Sequence, residues 1–273
     1  MNSRSSNPLQ IMLNNKEWIL ADGATGTNLF NMGLSSWDAP EFWNKPAPKK
    51  IETLYRDSVN AGSDLFLTNS FGGNRSRLQL HGAEKSALEL SRISAEIGRE
   101  VADTAERPVI VAGSVGPTGE IMEPIGSLSY STAVEIFHEQ AEGLKAGGVD
   151  VVWVETISAA NEFEAAAEAF SLAKIDWCGT MSFDTAGRTM FGITAPDFVK
   201  LISKIPNKPL AFAANCGVGA SDMLRTILGF SATSNCLPII AKENAKIPKY
   251  SDGNIHYDGT PKLMSHYATL AYD

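Results

Sequence analysis

Seven short apolar segments alternate along this chain with longer segments of helical periodicity. The apolar segments are residues 19–24, 65–71, 109–115, 151–156, 178–183, 210–216 and 237–243. The segments with helical spacing include 83–104, 131–147, 159–173 and 195–205. Strict alternation of this kind predicts parallel strands joined by crossover helices. The strands are continuously apolar, which indicates a sheet covered by helices.

Nearly every predicted strand ends in small or polar residues. Examples are Asp22-Gly23-Ala24, Thr68-Asn69-Ser70, Glu155-Thr156 and Asn215-Cys216-Gly217. A doubly wound sheet would place its ligand at a single switch point. Polar groups at the carboxyl ends of many parallel strands are instead typical of the active face of a (β/α)₈ TIM barrel. We therefore predict an α/β barrel.

The predicted barrel lacks one strand. A barrel of this type has eight strands, and residues 261–272 form a helical segment that would normally lead into the eighth. Residues 1–17 begin with polar residues and are expected to be flexible. We expect residues 18–273 to form one barrel domain that is incomplete at its C-terminal end.

Composition limits the partners of the chain. The 273 residues carry a net charge of −8, and the lysines and arginines are scattered, which argues against a nucleic-acid partner. No segment approaches the roughly 20 consecutive apolar residues of a membrane span, and the N-terminus does not resemble a signal peptide. Three cysteines are too few for a disulfide framework. We expect a cytoplasmic protein with small-molecule ligands, which could assemble as a homo-oligomer.

Cys216 is the cysteine best placed to take part in chemistry. It lies where the apolar run 210–214 ends and a glycine-containing loop begins. Such a thiol is a zinc ligand, a nucleophile or a small buried side chain, but one cysteine alone completes neither a zinc site nor a nucleophile–histidine pair. Cys178 and Cys236 precede or open their strands, so we expect both about 15–20 Å from Cys216, at the opposite rim.

Five strand-end motifs together resemble the homocysteine S-methyltransferase family. They are Asp22-Gly23-Ala24-Thr25-Gly26-Thr27, Thr68-Asn69-Ser70-Phe71, Gly113-Ser114-Val115-Gly116-Pro117, Trp153-Val154-Glu155-Thr156 and Ala214-Asn215-Cys216-Gly217. Residues 242–250 and 257–261 most resemble bacterial betaine-homocysteine methyltransferases. The resemblance implies a TIM-barrel enzyme that methylates homocysteine to methionine.

The resemblance also implies a zinc ion held by three cysteines. Cys216 matches the first of these ligands, whereas the Gly-Gly-Cys-Cys pair of the family has no counterpart in the sequence. The two remaining cysteine ligands are therefore expected beyond Asp273. Zinc would deprotonate the substrate thiol, whose ordinary pKa is near 8.5.

The amino-acid end of homocysteine is assigned by the same resemblance. Asp22 and Glu155 are suited to its ammonium group, and the backbone amides of Gly23 and Ala24 to its carboxylate. Asn215 is expected to brace this substrate site.

The methyl donor implied by the resemblance is a small onium compound, with glycine betaine favoured. A quaternary ammonium group has no hydrogen to donate and binds best against aromatic faces. Trp37 and Phe71 are the candidate donor-binding residues, although betaine-using members often carry a tyrosine near the position of Phe71. The alternatives are S-methylmethionine, a cobalamin carrier, or a metal-free, non-catalytic binding protein on the same barrel.

Overall fold

The computed structural model describes residues 7–35, 37–184, 186–233, 237–246, 249–251 and 254–272. Its strands are β1 (Leu65–Leu67), β2 (Ile110–Val115), β3 (Val151–Ile157), β4 (Trp177–Met181), β5 (Phe212–Cys216), β6 (Ile239–Glu243), β7 (Lys249–Ser251) and β8 (Asn254–His256). Its α-helices are α1 (Pro8–Asn15), α2 (Thr25–Asn31), α3 (Pro48–Asn60), α4 (Arg75–Gln79), α5 (Ala87–Asp103), α6 (Tyr130–Ala146), α7 (Ala160–Ala173), α8 (Ala195–Lys204), α9 (Ala220–Ser231) and α10 (Pro261–Tyr272). Two 3₁₀ helices span Pro40–Asn44 and Glu84–Ser86.

The main sheet has six strands in the order of the sequence, from β1 to β6. Strand β1 pairs in parallel with β2, β2 with β3, β4 with β5, and β5 with β6. Helices follow the strands as predicted, and α6, α7 and α8 begin and end within one residue of the predicted bounds. Sequential strand order with helical crossovers is the topology of a (β/α) barrel.

The first predicted strand, 19–24, differs from expectation. Among the described residues this segment makes one isolated parallel bridge, from Ala21 to Leu65, and the carbonyl of Leu20 accepts a hydrogen bond from Asp64 N at 2.7 Å. Trp18 and Leu20 are both exposed, so little burial of apolar surface draws the segment into the sheet. The described sheet therefore has six strands where seven were predicted.

Two further elements were not predicted. Residues 8–15 form α1, with Asn7 as N-cap and with Leu9 and Met12 buried, where a flexible segment was expected. Strands β7 and β8 form an antiparallel pair, Tyr250 opposite Ile255. The apolar positions of α1 are spaced for one buried helical face, which explains why this short segment is ordered.

The chain divides into two compact units, each with its own core. The N-terminal unit comprises Met1–Val154 and Glu164–Cys178, and the C-terminal unit comprises Glu155–Phe163 and Gly179–Asp273. In the N-terminal unit, the rings of Tyr55 and Phe66 stack with centroids 4.8 Å apart.

Phenylalanines form the core of the C-terminal unit. The ring of Phe198 on α8 lies 4.8 Å from that of Phe163, 5.5 Å from Phe212 on β5 and 6.1 Å from Phe230 on α9, all measured between centroids. Edge-to-face pairs of this kind add to the free energy gained by burial. This cluster fixes α8 and α9 against β5, the strand that carries Asn215 and Cys216.

A buried polar network holds the loop after β1 in the N-terminal unit. Glu41, which is 3% exposed, accepts a hydrogen bond from Gly72 N at 2.6 Å. Asn44 Nδ2 donates to the carbonyl of Asn69 at 3.0 Å, and Asn69 Nδ2 donates to Asn44 Oδ1 at 2.9 Å. Burial raises the pKa of Glu41, and the hydrogen bond from Gly72 N and the charge of Arg77 offset only part of that rise.

The raised pKa of Glu41 predicts how stability depends on pH. In the unfolded chain this carboxyl ionises near its ordinary value of 4.5. Above that pH the folded chain still holds the proton, so the free energy of unfolding falls as pH rises and levels off above the folded-state pKa. Glu41→Gln should remove this fall, because glutamine does not titrate and its carbonyl still accepts from Gly72 N.

Urea unfolding between pH 4 and 8 measures this effect. The control is Glu106→Gln, at an exposed loop position after α5, which should leave the pH dependence of the wild-type chain unchanged. An identical pH dependence in wild type and Glu41→Gln would contradict the prediction.

Candidate functional site

The C-terminal unit brings Glu155 and Asn215 together. Asn215, 4% exposed at the end of β5, donates from Nδ2 to Thr156 Oγ1 at 2.8 Å and accepts at Oδ1 from Thr156 N at 2.8 Å. The same Nδ2 lies 3.4 Å from Oε2 of Glu155, which is 9% exposed. A buried carboxylate with an amide beside it can accept hydrogen bonds from a cation such as an ammonium group.

The backbone is strained next to both of these residues. Thr156 follows Glu155 with φ of 65°, and Cys216 follows Asn215 with φ of 63°. For a residue with a Cβ, and above all a β-branched one, the left-handed region costs about 1–3 kcal/mol, and such positions cluster at functional sites. Both strands thus leave the extended conformation directly after a candidate site residue.

Cys216 is contacted by a residue that follows β6. Asn244 Nδ2 lies 3.2 Å from Cys216 Sγ and donates to the carbonyl of Gly217 at 3.0 Å. Glu243 pairs with Cys216 in the strand register, and its partial burial raises the pKa of its carboxyl. The thiol is therefore held by an amide, and the residue opposite Cys216 in the strand register carries a carboxyl group whose own pKa is raised.

The described residues do not supply a metal site. Within those ranges, no group of three or more His, Cys, Asp or Glu side chains could hold a metal ion. Cys178 is buried in β4, and Cys236 lies outside the described residues. Cys216 therefore has too few such partners among the described residues to hold zinc.

Asp22, Gly23 and Ala24 belong to the N-terminal unit. Asp22 Oδ2 accepts a hydrogen bond from Leu67 N at 2.9 Å, so this carboxylate ties its segment to β1. Ala24 is the N-cap of α2. Apart from the two chain neighbours of Gly23, no described atom lies within 4 Å of a Cβ built on Gly23. The backbone at Gly23 therefore faces open space, which a bound carboxylate would need.

The two candidate donor-binding aromatics also lie in the N-terminal unit. Trp37 is 86% exposed, in the loop before the Pro40–Asn44 helix. Phe71 is 36% exposed, and a Cβ built on Gly116 would lie 2.7 Å from its Cε2. The Phe71 ring therefore packs directly on Gly116, whereas the Trp37 ring is open to a ligand.

The site includes two residues that the sequence analysis did not assign, Thr156 and Asn244. Both are contained in motifs quoted above, but neither backbone strain nor a contact between an amide and Cys216 is visible in residue types.

No helix among the described residues is long and apolar enough to cross a bilayer.

Comparisons with known proteins agree on the fold. The metallated form of the Escherichia coli homocysteine methyltransferase MmuM matches with a TM-score of 0.73 at 22% identity, covering 87% of both chains. Its oxidized form matches with a TM-score of 0.73 at 24% identity, covering 88% of this chain and 86% of that one. These matches confirm an α/β fold of the TIM-barrel type, consistent with an incomplete (β/α)₈ barrel.

Two further comparisons concern sequence. Methionine synthase of Mycobacterium leprae is 27% identical over 270 residues, which cover 90% of this chain and 21% of that protein. The chain thus spans about a fifth of the length of that relative. The homocysteine S-methyltransferase family matches residues 19–272. Because this match includes nearly the whole chain, the chain belongs to the homocysteine S-methyltransferase family.

Proposed function

We propose that this chain binds homocysteine and acts in the transfer of a methyl group to its thiol, which yields methionine. The observation that carries the proposal is the family match over residues 19–272. The similarity to a protein named methionine synthase supports methionine as the product. The cluster of Glu155, Asn215 and Cys216 offers groups for both ends of the substrate.

The amino-acid end of homocysteine is proposed to bind through carboxylates and backbone amides. Glu155 accepts hydrogen bonds from the ammonium group, and Asn215 orients the Glu155 side chain. Asp22 is the second proposed ammonium ligand. The amides of Gly23 and Ala24, at the start of α2, are proposed to receive the substrate carboxylate.

The thiol end is proposed to lie at Cys216. Since no group of three or more candidate ligands forms among the described residues, zinc does not fit them as they stand. We propose zinc as the cofactor only together with two further cysteine ligands from outside residues 1–273, in the pattern that the family resemblance implies. A metal-free, non-catalytic homocysteine-binding protein is the second candidate, favoured by that same lack of ligands.

The proposed donor is glycine betaine, with S-methylmethionine or a cobalamin carrier as alternatives. The exposed Trp37 ring supports an onium donor, because a cation without hydrogen-bond donors is attracted to an aromatic face. Phe71 is the second proposed contact, through the part of its ring that Gly116 leaves uncovered.

Replacement of Glu155 tests substrate binding. Glu155→Gln keeps the shape of the side chain and removes its charge, so the Kd for homocysteine should rise about tenfold or more. Isothermal titration of the 273-residue chain measures the affinity. The exposed Glu106→Gln is the matched control, and an unchanged Kd in Glu155→Gln would remove this carboxylate from the site.

Metal analysis tests the ligand set. The purified 273-residue chain should retain well under one equivalent of zinc after gel filtration, since one thiolate cannot match the affinity of three. Mass spectrometry of the metal content of wild type and Cys216→Ser measures this. One equivalent of zinc in the wild type that is lost in Cys216→Ser would show that the chain holds a complete site.

Replacement of Trp37 tests donor binding. Trp37→Ala should raise the Kd for glycine betaine about 2- to 30-fold, the range of a cation–aromatic contact, and leave the Kd for homocysteine unchanged. Titrations with betaine, S-methylmethionine and methylcobalamin in parallel identify the donor. Trp18→Ala, which removes another exposed tryptophan, is the control, and binding of methylcobalamin alone would contradict the onium proposal.

A further inference from the structure

Thr156 has an unfavourable backbone conformation for its residue type. It is β-branched, has φ of 65°, and lies within β3 between Glu155 and the fully buried Ile157. Glycine is the residue that adopts this region without steric cost. A threonine here persists because the surrounding structure holds it.

Asn215 is the residue that holds it. Its side chain makes a closed pair of 2.8 Å hydrogen bonds, one with the backbone N–H of Thr156 and one with the Thr156 hydroxyl. A backbone N–H in a strand ordinarily donates to a neighbouring strand. Here that donor is taken by a buried side chain, so the local backbone direction depends on Asn215 rather than on the sheet.

The same amide group reaches the adjacent carboxylate. Asn215 Nδ2 lies 3.4 Å from Glu155 Oε2, and Glu155 is covalently joined to the strained residue. A rotation of the Thr156 backbone toward the extended region would therefore displace the Glu155 carboxylate and break the pair of hydrogen bonds.

We propose that Thr156 is a positioning residue, whose left-handed conformation, held by Asn215, orients the Glu155 carboxylate toward the ammonium group of homocysteine. The inference rests on the proposed function, since it assumes that homocysteine is the ligand. Thr156 does not contact the reacting atoms. It acts through Glu155.

The test compares two ligands that differ in the ammonium group. Homocysteine carries that group, and 4-mercaptobutanoate has the same thiol and carboxylate without it. The Kd of 4-mercaptobutanoate divided by the Kd of homocysteine measures the preference for the ammonium group. This ratio, measured by titration of the 273-residue chain, reports how well Glu155 is placed. A role confined to stability would weaken the binding of both ligands alike and leave the ratio unchanged.

Three variants separate conformation from stability. Thr156→Gly keeps the N–H but loses the hydroxyl that Asn215 Nδ2 binds, and it opens other backbone conformations to this residue, so the preference for homocysteine should fall about tenfold. Thr156→Ser keeps the hydroxyl and should retain the wild-type preference within about threefold. Lys174→Gly is the matched control, because Lys174 also has a positive φ, of 52°, and is an exposed residue after α7.

The results distinguish the positioning role of Thr156 from a role in stability alone and from failure of the proposed function. A lower ratio in Thr156→Gly, with the wild-type ratio in Thr156→Ser and Lys174→Gly, supports the proposal. A wild-type ratio in Thr156→Gly, or an equal loss for both ligands, overturns the positioning role and leaves the proposed function intact. A wild-type chain that binds both ligands equally overturns the positioning role alone, whereas one that does not bind homocysteine overturns the proposed function and the positioning role with it.

Discussion

The pair of hydrogen bonds between Asn215 and Thr156 organises the C-terminal unit. These residues belong to β5 and β3, which flank β4 in the sheet. Neighbouring strands lie about 4.8 Å apart, so alternate strands in a flat sheet are about 10 Å apart, too far for a short asparagine side chain to bridge. The 2.8 Å contacts therefore require that the strands curl toward one another here, as side chains of alternate strands do inside a TIM barrel.

In the N-terminal unit, a buried polar network holds the loop after β1 in place. Glu41 and Asn44 in a 3₁₀ helix bond the backbone of the loop that carries Phe71, while the hydroxyl of Tyr55 accepts a hydrogen bond from Asn69 N at 2.6 Å. A buried network whose members are bonded in this way is rigid, because breaking one bond leaves a polar group without its partner in a medium of low dielectric constant. The loop is thus held without regular secondary structure.

The sequence predicted those features that depend on periodicity. Alternating strands and helices, and the position of Asn215 and Cys216 at the end of one strand, follow from apolar runs and the residues that end them. The failure at 19–24 has a physical cause, since an apolar run predicts a strand only where burial rewards it, and Trp18 and Leu20 are exposed. The pair β7 and β8 was missed although Asp252-Gly253, between them in the sequence, is a hairpin signal.

The contacts within the site could not be read from the sequence in the same way. Thr156 lies inside a run that periodicity assigns to a strand, and its left-handed conformation follows from the side chain of a residue 59 positions away. Backbone strain of this kind is a property of tertiary packing, and local propensity argues against it. The same holds for Asn244, whose contact with Cys216 joins two separate strand ends.

The adjacency of Asn215 and Cys216 has a further consequence for the proposed substrate. Asn215 braces the group proposed for the ammonium end, and Cys216 is the group proposed for the sulfur end. Because the two residues are consecutive at the end of β5, a shift of that strand moves the brace and the thiol together. The aromatic cluster around Phe198 fixes β5 through Phe212, so packing in the core sets where the brace and the thiol lie relative to Thr156. A substitution in that cluster would thereby move both groups of the proposed site without replacing either of them.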